Sequence, residues 1–430
     1  MIKELLSKIA VHRERITCVV LGQIVSILGV AIGSRVLTEF ATPTALGEYK
    51  LAIGMVALFS GIFFRQFIQF VMRFYHDAIA NGESSIFLDF SRRVIRKGLL
   101  WMSAGLFFAM LWYGRSNGGL GWTAACVAVG LLCMNVFTSF QYSVLITQNR
   151  QNSAVIIRTL IQCLTPLVLA CGAYFIGQDG KSLLFSELVL LLLVFAISGF
   201  WLKETDKAAT GIIQPERLEK WKNESARFVI PLIGVSLFSW VLGVADRYIL
   251  AKYHSAHDVG VYAAVYGLGS QPMMIANGLI AQLISPILFE AAAQNRNSTE
   301  HKVLRYTLLG GVVSSTVCIA VVYFMGDYLI NLLLAQEYRA TAYPILIWVA
   351  SGYALLALAS SYELKAYSGK KTKVIGIAYG VAAAVNLVMN FILIPAQGAI
   401  GAAKATFFGY IGYLLVIVLL SRHERKKARI

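Results

Sequence analysis

Apolar runs of about 20 residues, the length an α-helix needs to cross a hydrocarbon layer roughly 30 Å thick, recur along the whole chain. They fall at 17–37, 49–72, 98–114, 121–146, 155–177, 182–202, 228–250, 259–288, 304–326, 343–366, 374–394 and 400–420. Short polar connections separate them. The pattern predicts an all-α polytopic membrane protein of about 12 transmembrane helices. Two interruptions stand out: Arg65 lies within the second run, and Asp246 and Arg247 sit side by side near the end of the seventh.

The second interruption belongs to a repeat. The stretches SRVLTEFATPTALGEYKLA (34–52) and DRYILAKYHSAHDVGVYAAV (246–265) each place an Arg at the end of a run, then a polar loop, then Gly-x-Tyr opening the next run. Arg35 answers Arg247, and Gly47 and Tyr49 answer Gly260 and Tyr262, half a chain length apart. Six runs precede the polar segment 203–227 and six come after it. This predicts an N-terminal six-helix lobe (1–202), a cytoplasmic linker (203–227) and a C-terminal six-helix lobe (228–430), related as parallel repeats around a central cavity. The copies differ at one position: Ser34 stands where the second has Asp246.

Composition supports the membrane assignment. The 430 residues are 58% hydrophobic and 14% charged, more apolar sequence than soluble cores need to bury. Of 38 Lys and Arg, 29 fall on one side of the predicted membrane, so both termini are expected in the cytoplasm. Basic loops facing anionic lipid account for the net charge of +16 without nucleic acid. The loops are too short for a catalytic domain, and Walker A, HExxH and GxSxG patterns are missing, so an enzyme is not expected. The six Cys lie inside predicted spans without a CxxC pair, which indicates neither a metal site nor a disulfide framework.

Candidate site residues come from polar stripes within the spans. At 100° per residue, Arg65, Gln69 and Arg73 share an arc of about 80°. Asp246 and Arg247 share about 100° with Ser236, Ser239 and Gly243, and Tyr262, Tyr266, Ser270 and Asn277 share about 80°. An Arg at mid-membrane costs roughly 2.5 to 3.5 kcal/mol on insertion scales, so these stripes are expected to face a bundle interior or a wet cavity. Plainer roles compete: Arg73 as an anchor at the cytoplasmic mouth, Asp246 and Arg247 as a mutually compensating pair, Tyr262 as an interfacial ring. Glu187, Glu290 and Glu363 are candidate ion-coupling carboxylates, each near a span end where solvation is the simpler account. Gly29 and Gly33 form a small-xxx-small pair that points to close helix packing.

The blocks VADRYILAKYHSAHDVGVYAAVYGLGSQP and AAAVNLVMNFILIPAQGAIGAAKAT, with shorter matches elsewhere, resemble Wzx-type oligosaccharide flippases. These are polysaccharide-biosynthesis membrane proteins of the multidrug/oligosaccharidyl-lipid/polysaccharide exporter superfamily. The resemblance implies alternating access in the bacterial inner membrane and a cargo of undecaprenyl-diphosphate-linked oligosaccharide, O-antigen or a similar repeat unit. It further implies a cationic lumen in which Arg35, Arg65 and Arg247 receive the anionic headgroup, with Asp246 holding Arg247 until cargo competes for it. Expected partners are membrane lipids, a polysaccharide polymerase and a chain-length regulator, with the chain a monomer. No cofactor is implied; a coupling ion, H⁺ or Na⁺, is left open. Two alternatives stand beside it: a cation-coupled multidrug exporter of the same superfamily, for which acidic lumen residues would be expected, and a non-transporting scaffold for polysaccharide assembly.

Overall fold

The computed structural model describes residues 13–117, 121–148, 150–203, 215–293, 297–368 and 372–427. Part of the expected linker, 204–214, lies outside them. The described chain is helical throughout: α1 (Arg13–Phe40), α2 (Pro43–Ala80), α3 (Ser84–Asn117), α4 (Trp122–Thr147), α5 (Gln151–Phe175) and α6 (Gly180–Lys203). Then come α7 (Pro215–Trp240, continued through Val241–Ala245 by Asp246–Tyr253), α8 (Ala256–Ala293), α9 (Asn297–Leu333) and α10 (Ala342–Ser368). The last element, Thr372–Lys427, has 56 residues. Unbroken, it would be about 84 Å long, far beyond a bilayer. It breaks at Gly398, whose φ of 55° and ψ of −133° no helix contains; Pro395, three residues earlier, removes a helical N–H donor. The two passes are α11 (372–397) and α12 (399–427). Among the described residues ten stretches are long and apolar enough to cross a membrane, and one of them, Lys373–Ser421, holds both of these passes.

The chain divides into two compact units, and not at the linker. The first comprises Met1–Ala41 and Glu48–Leu237, the second Thr42–Gly47 and Phe238–Ile430. The first half of α7 stays with the first unit because Trp221, 1% exposed, is anchored there. Its indole donates to Glu83 Oε2 at 3.3 Å and its ring meets Phe87 at 4.8 Å. Phe228, two turns on, joins the same cluster through Phe70 and Phe74. Elsewhere in this unit α1 packs closely on α5: side chains at Gly29 and Gly33 would overlap Cys163 and Pro166.

In the second unit, the repeat glycines meet. A methyl group on Gly47 would overlap the Ala256 carbonyl, and one on Gly260 would overlap the Pro43 carbonyl. Each glycine therefore rests on the first turn of the helix that carries the other.

Candidate functional site

In the first unit the deep arginine comes directly after a defect. Residues Ser60–Phe64 of α2 form a π-helical turn, which admits one extra residue and rotates the remainder of the helix by about 100°. From Arg65 to Ala80 the helix is sharply two-faced. Phe64, Phe67, Phe70, Val71, Tyr75 and Ala78 are buried, whereas Arg65, Gln69, Arg73 and Asp77 are exposed. Gln66 turns inward and is hydrogen-bonded to Ser236. Arg65 lies roughly 33 Å along α2 from its start and 22 Å from its end, and has no hydrogen-bond or ion-pair partner among the described residues. Arg73 pairs loosely with Asp77 at 3.6 Å. Arg35 is engaged by Glu39 one turn on, at 2.9 Å, a partner the sequence comparison with Arg247 overlooks.

The second unit repeats the device. A π-helical turn at Val241–Ala245 immediately precedes Asp246 and Arg247. Asp246 is 1% exposed, and one expectation about it is corrected. It does not grip the Arg247 guanidinium: its oxygens accept from the Tyr262 hydroxyl at 2.5 Å and from the Arg247 backbone N–H at 2.8 Å. The guanidinium instead lies over the Tyr266 ring at 5.6 Å, with Nε buried and unpaired. Of the two environments expected for the stripe, a bundle interior or a wet cavity, Tyr262 and Tyr266 take the interior. Both are buried, Tyr262 because Asp246 uses its hydroxyl and Tyr266 because its hydroxyl meets that of Tyr353 at 2.9 Å. Asn277 is half-buried farther along α8.

Sequence reasoning missed three buried polar residues. Asn386 and Asn390 of α11 and Thr406 of α12 are wholly buried. Thr406 donates to the Ala402 carbonyl at 3.2 Å. The Asn390 amide donates to Asn386 at 2.9 Å, leaving Asn386 Nδ2 and Asn390 Oδ1 without partners. The two Asn at i, i+4 inside an apolar run were the available signal.

The repeat also explains the missing acid of the first half. Tyr49, the counterpart of Tyr262, is buried and donates to Glu187 Oε2 at 2.8 Å. Each half thus seats its tyrosine hydroxyl on a carboxylate; in the first it comes from α6, in the second from α7. Glu187 is thereby placed in a hydrogen bond rather than at a solvated span end.

Residues 120–343, more than half of the chain, match the family model described as "Polysaccharide biosynthesis protein". No curated relative matches by sequence. Solved structures match over nearly the full length. One is an inward-facing multidrug resistance MATE family transporter of the MOP superfamily (TM-score 0.71, 14% identity, 95% of each chain). Another is the lipid II flippase MurJ in an inward closed conformation (TM-score 0.72, 14% identity, 94% of this chain and 87% of that one). A third is a MOP superfamily transporter from Pyrococcus furiosus (TM-score 0.63, 12% identity, 97% and 96%).

Proposed function

The chain belongs to the polysaccharide biosynthesis protein family, and from that premise we propose that it flips a polyprenyl-diphosphate-linked oligosaccharide from the cytoplasmic to the outer leaflet. It has the multi-pass fold of MOP superfamily transporters; transport itself, the cargo and its route are the proposal. The observation that carries it is Arg65. A guanidinium without a counterion, on an exposed polar face far from either end of a long helix, is unstable against lipid and suited to a hydrated path that takes an anion.

The chemistry of the cargo fits. A diphosphate offers planar arrays of oxygens that guanidinium forks bind through paired, charge-assisted hydrogen bonds. Arg65 supplies one fork. Arg247, resting on Tyr266 with Nε unpaired, supplies a second in its own unit. Gln69, Arg73 and Asn277 offer further polar contacts. Arg35, held by Glu39, takes a lesser part, and Asp246, Tyr262 and Tyr266 act from behind by fixing the backbone and ring that position Arg247. A cationic drug as cargo is disfavoured, since the acids Asp246 and Glu187 are bonded to tyrosines while the exposed deep charge is positive. The basic-residue distribution supports cytoplasmic termini, and the family supports a polymerase as downstream partner.

The test is complementation in a bacterial strain lacking its own copy, reading surface polysaccharide at matched membrane expression. Arg65→Ala and Arg247→Ala are expected to abolish export, with Arg65→Lys retaining a fraction because charge survives but the fork does not. Wild-type export by Arg65→Ala would overturn the proposal.

A further inference from the structure

One side of α3 in the first unit stands uncovered, and its character changes along the helix. Ile95, Leu99, Leu106 and Met110 are buried and share an arc of about 60° at 100° per residue. On the opposite side Arg93, Arg96 and Lys97 are exposed. The same side continues with Leu100, Trp101, Phe108 and Trp112, which are 68% to 75% exposed. From Lys97 to Trp112 is about 22 Å along the axis, most of the thickness of a hydrocarbon layer. The three cations therefore stand at one edge of an apolar stripe, at the depth of lipid phosphates.

The charge at that edge is one-sided. This part of the helix carries Arg92, Arg93, Arg96 and Lys97 against a single acid, Asp89, whose oxygens lie 3.9 Å from Arg92 and 3.8 Å from Arg93. Solvated contacts of that length hold little energy. Among the described residues Arg96 reaches only the Arg92 carbonyl, at 3.4 Å, and Lys97 forms no ion pair. Orienting a chain in the membrane requires basic residues near the span but no particular face. Here three of the four share the side that carries the stripe, and Trp101, one turn deeper than Lys97, sets an indole where headgroups give way to acyl chains. The inner side of the same turn is occupied. A methyl group on Gly98 would lie 2.9 Å from the Phe63 ring and 3.1 Å from the Phe64 ring. Both rings belong to the π-helical turn Ser60–Phe64, which sets the direction of Arg65.

We propose that Arg93, Arg96 and Lys97 bind the headgroup of an anionic phospholipid whose acyl chains lie along Leu100, Trp101 and Phe108, and that the bound lipid steadies the π-helical turn behind it. A phosphodiester brings the negative charge that these cations lack, and its chains cover the apolar side chains that continue the same face. A soluble acidic partner meets the charges but not the stripe. Held from outside by lipid and from inside by the Phe63 and Phe64 rings, the turn around Gly98 loses freedom to shift, and so does the turn that precedes Arg65. Neither step depends on the proposed cargo.

The test reconstitutes the full chain in phosphatidylcholine vesicles that contain a minor fraction of brominated lipid, whose bromine quenches nearby indoles. Brominated phosphatidylglycerol is expected to quench more than the same fraction of brominated phosphatidylcholine, and Trp101→Phe to remove that excess. In the double variant Arg96→Gln, Lys97→Gln the relative affinity for the anionic lipid should fall by about fivefold for each charge removed. Arg158→Gln, which removes an exposed cation from α5, should leave it unchanged. Equal quenching by the two lipids, or an excess that survives in Trp101→Phe, overturns the site; Trp101 is exposed, so its variant reads the site even where the double variant fails to fold. Displacement of the brominated lipid by inorganic phosphate overturns a lipid as the occupant. Amide exchange across residues 60–65 is expected to be slower in phosphatidylglycerol than in phosphatidylcholine for the wild type, and alike in both for the double variant. Equal exchange in the wild type overturns the steadying of the turn.

Discussion

Replacing Tyr262 by Phe tests the buried acid in the second unit most directly. Asp246 is 1% exposed and takes two hydrogen bonds, from Tyr262 and from the Arg247 backbone. Phe occupies the same volume, so no cavity opens and the loss is that of one bond to a buried charged acceptor, about 1.5 to 3 kcal/mol. At roughly 2 to 4 °C per kcal/mol for a unit of this size, the thermal midpoint of the purified protein in detergent should fall by about 3 to 12 °C, read by intrinsic fluorescence. The same substitution in an Asp246→Asn background removes only a neutral bond worth about 1 kcal/mol, so the double-mutant cycle should return a coupling of about 0.5 to 2 kcal/mol. Equal losses in both backgrounds would mean that the hydroxyl serves some other group, and that Asp246 is not its acceptor.

Three other outcomes are expected. Gly260→Ala places a methyl group on the Pro43 carbonyl and should cost about 1 to 3 kcal/mol, whereas Gly234→Ala, with nothing within 4 Å of the added carbon, should leave the midpoint unchanged or raise it. Trp221→Ala deletes the side chain that ties the start of α7 to the first unit, costs about 3 to 5 kcal/mol, and should speed proteolytic cleavage in the turns from Pro215 onward. Asp179, in the loop before α6, is partly buried, which alone would raise its pKa. The Ser182 hydroxyl and N–H, the Lys181 charge and its own backbone N–H together outweigh this and hold it below the usual carboxylate value. Its contribution is therefore complete above the ordinary carboxylate pKa and fades as pH falls through the lowered value, so the midpoint difference between wild type and Asp179→Asn should shrink below about pH 4.

How much of this was legible beforehand varies with the distance over which the cause acts. Solvent transfer is local: a run of apolar residues must enter lipid and form its own hydrogen bonds, so the spans, the two passes on either side of Gly398 and the misfit of Arg65 could be read from the chain. The half-length repeat could be read as a recurring pattern, but not the contact that requires its glycines, since Gly47 and Gly260 each approach the backbone of a helix half a chain away. The partners of buried polar groups could not be read, because they are chosen by helices distant in sequence. The acid for Tyr49 came from Glu187, 138 residues away. Asp246 turned from its neighbour Arg247 to Tyr262, because a side chain on the next helix could reach it more squarely than a guanidinium turned toward Tyr266. Tertiary packing likewise placed the division between units at Leu237 rather than in the polar linker, since Trp221 and Phe228 bury apolar area in the first unit that a linker would expose. Order along the chain thus settled which segments cross the membrane and where charge is out of place, and the fold decided which charges were left unpaired. In a medium without water, a polar group must find its partner in whichever helix lies within about 3 Å.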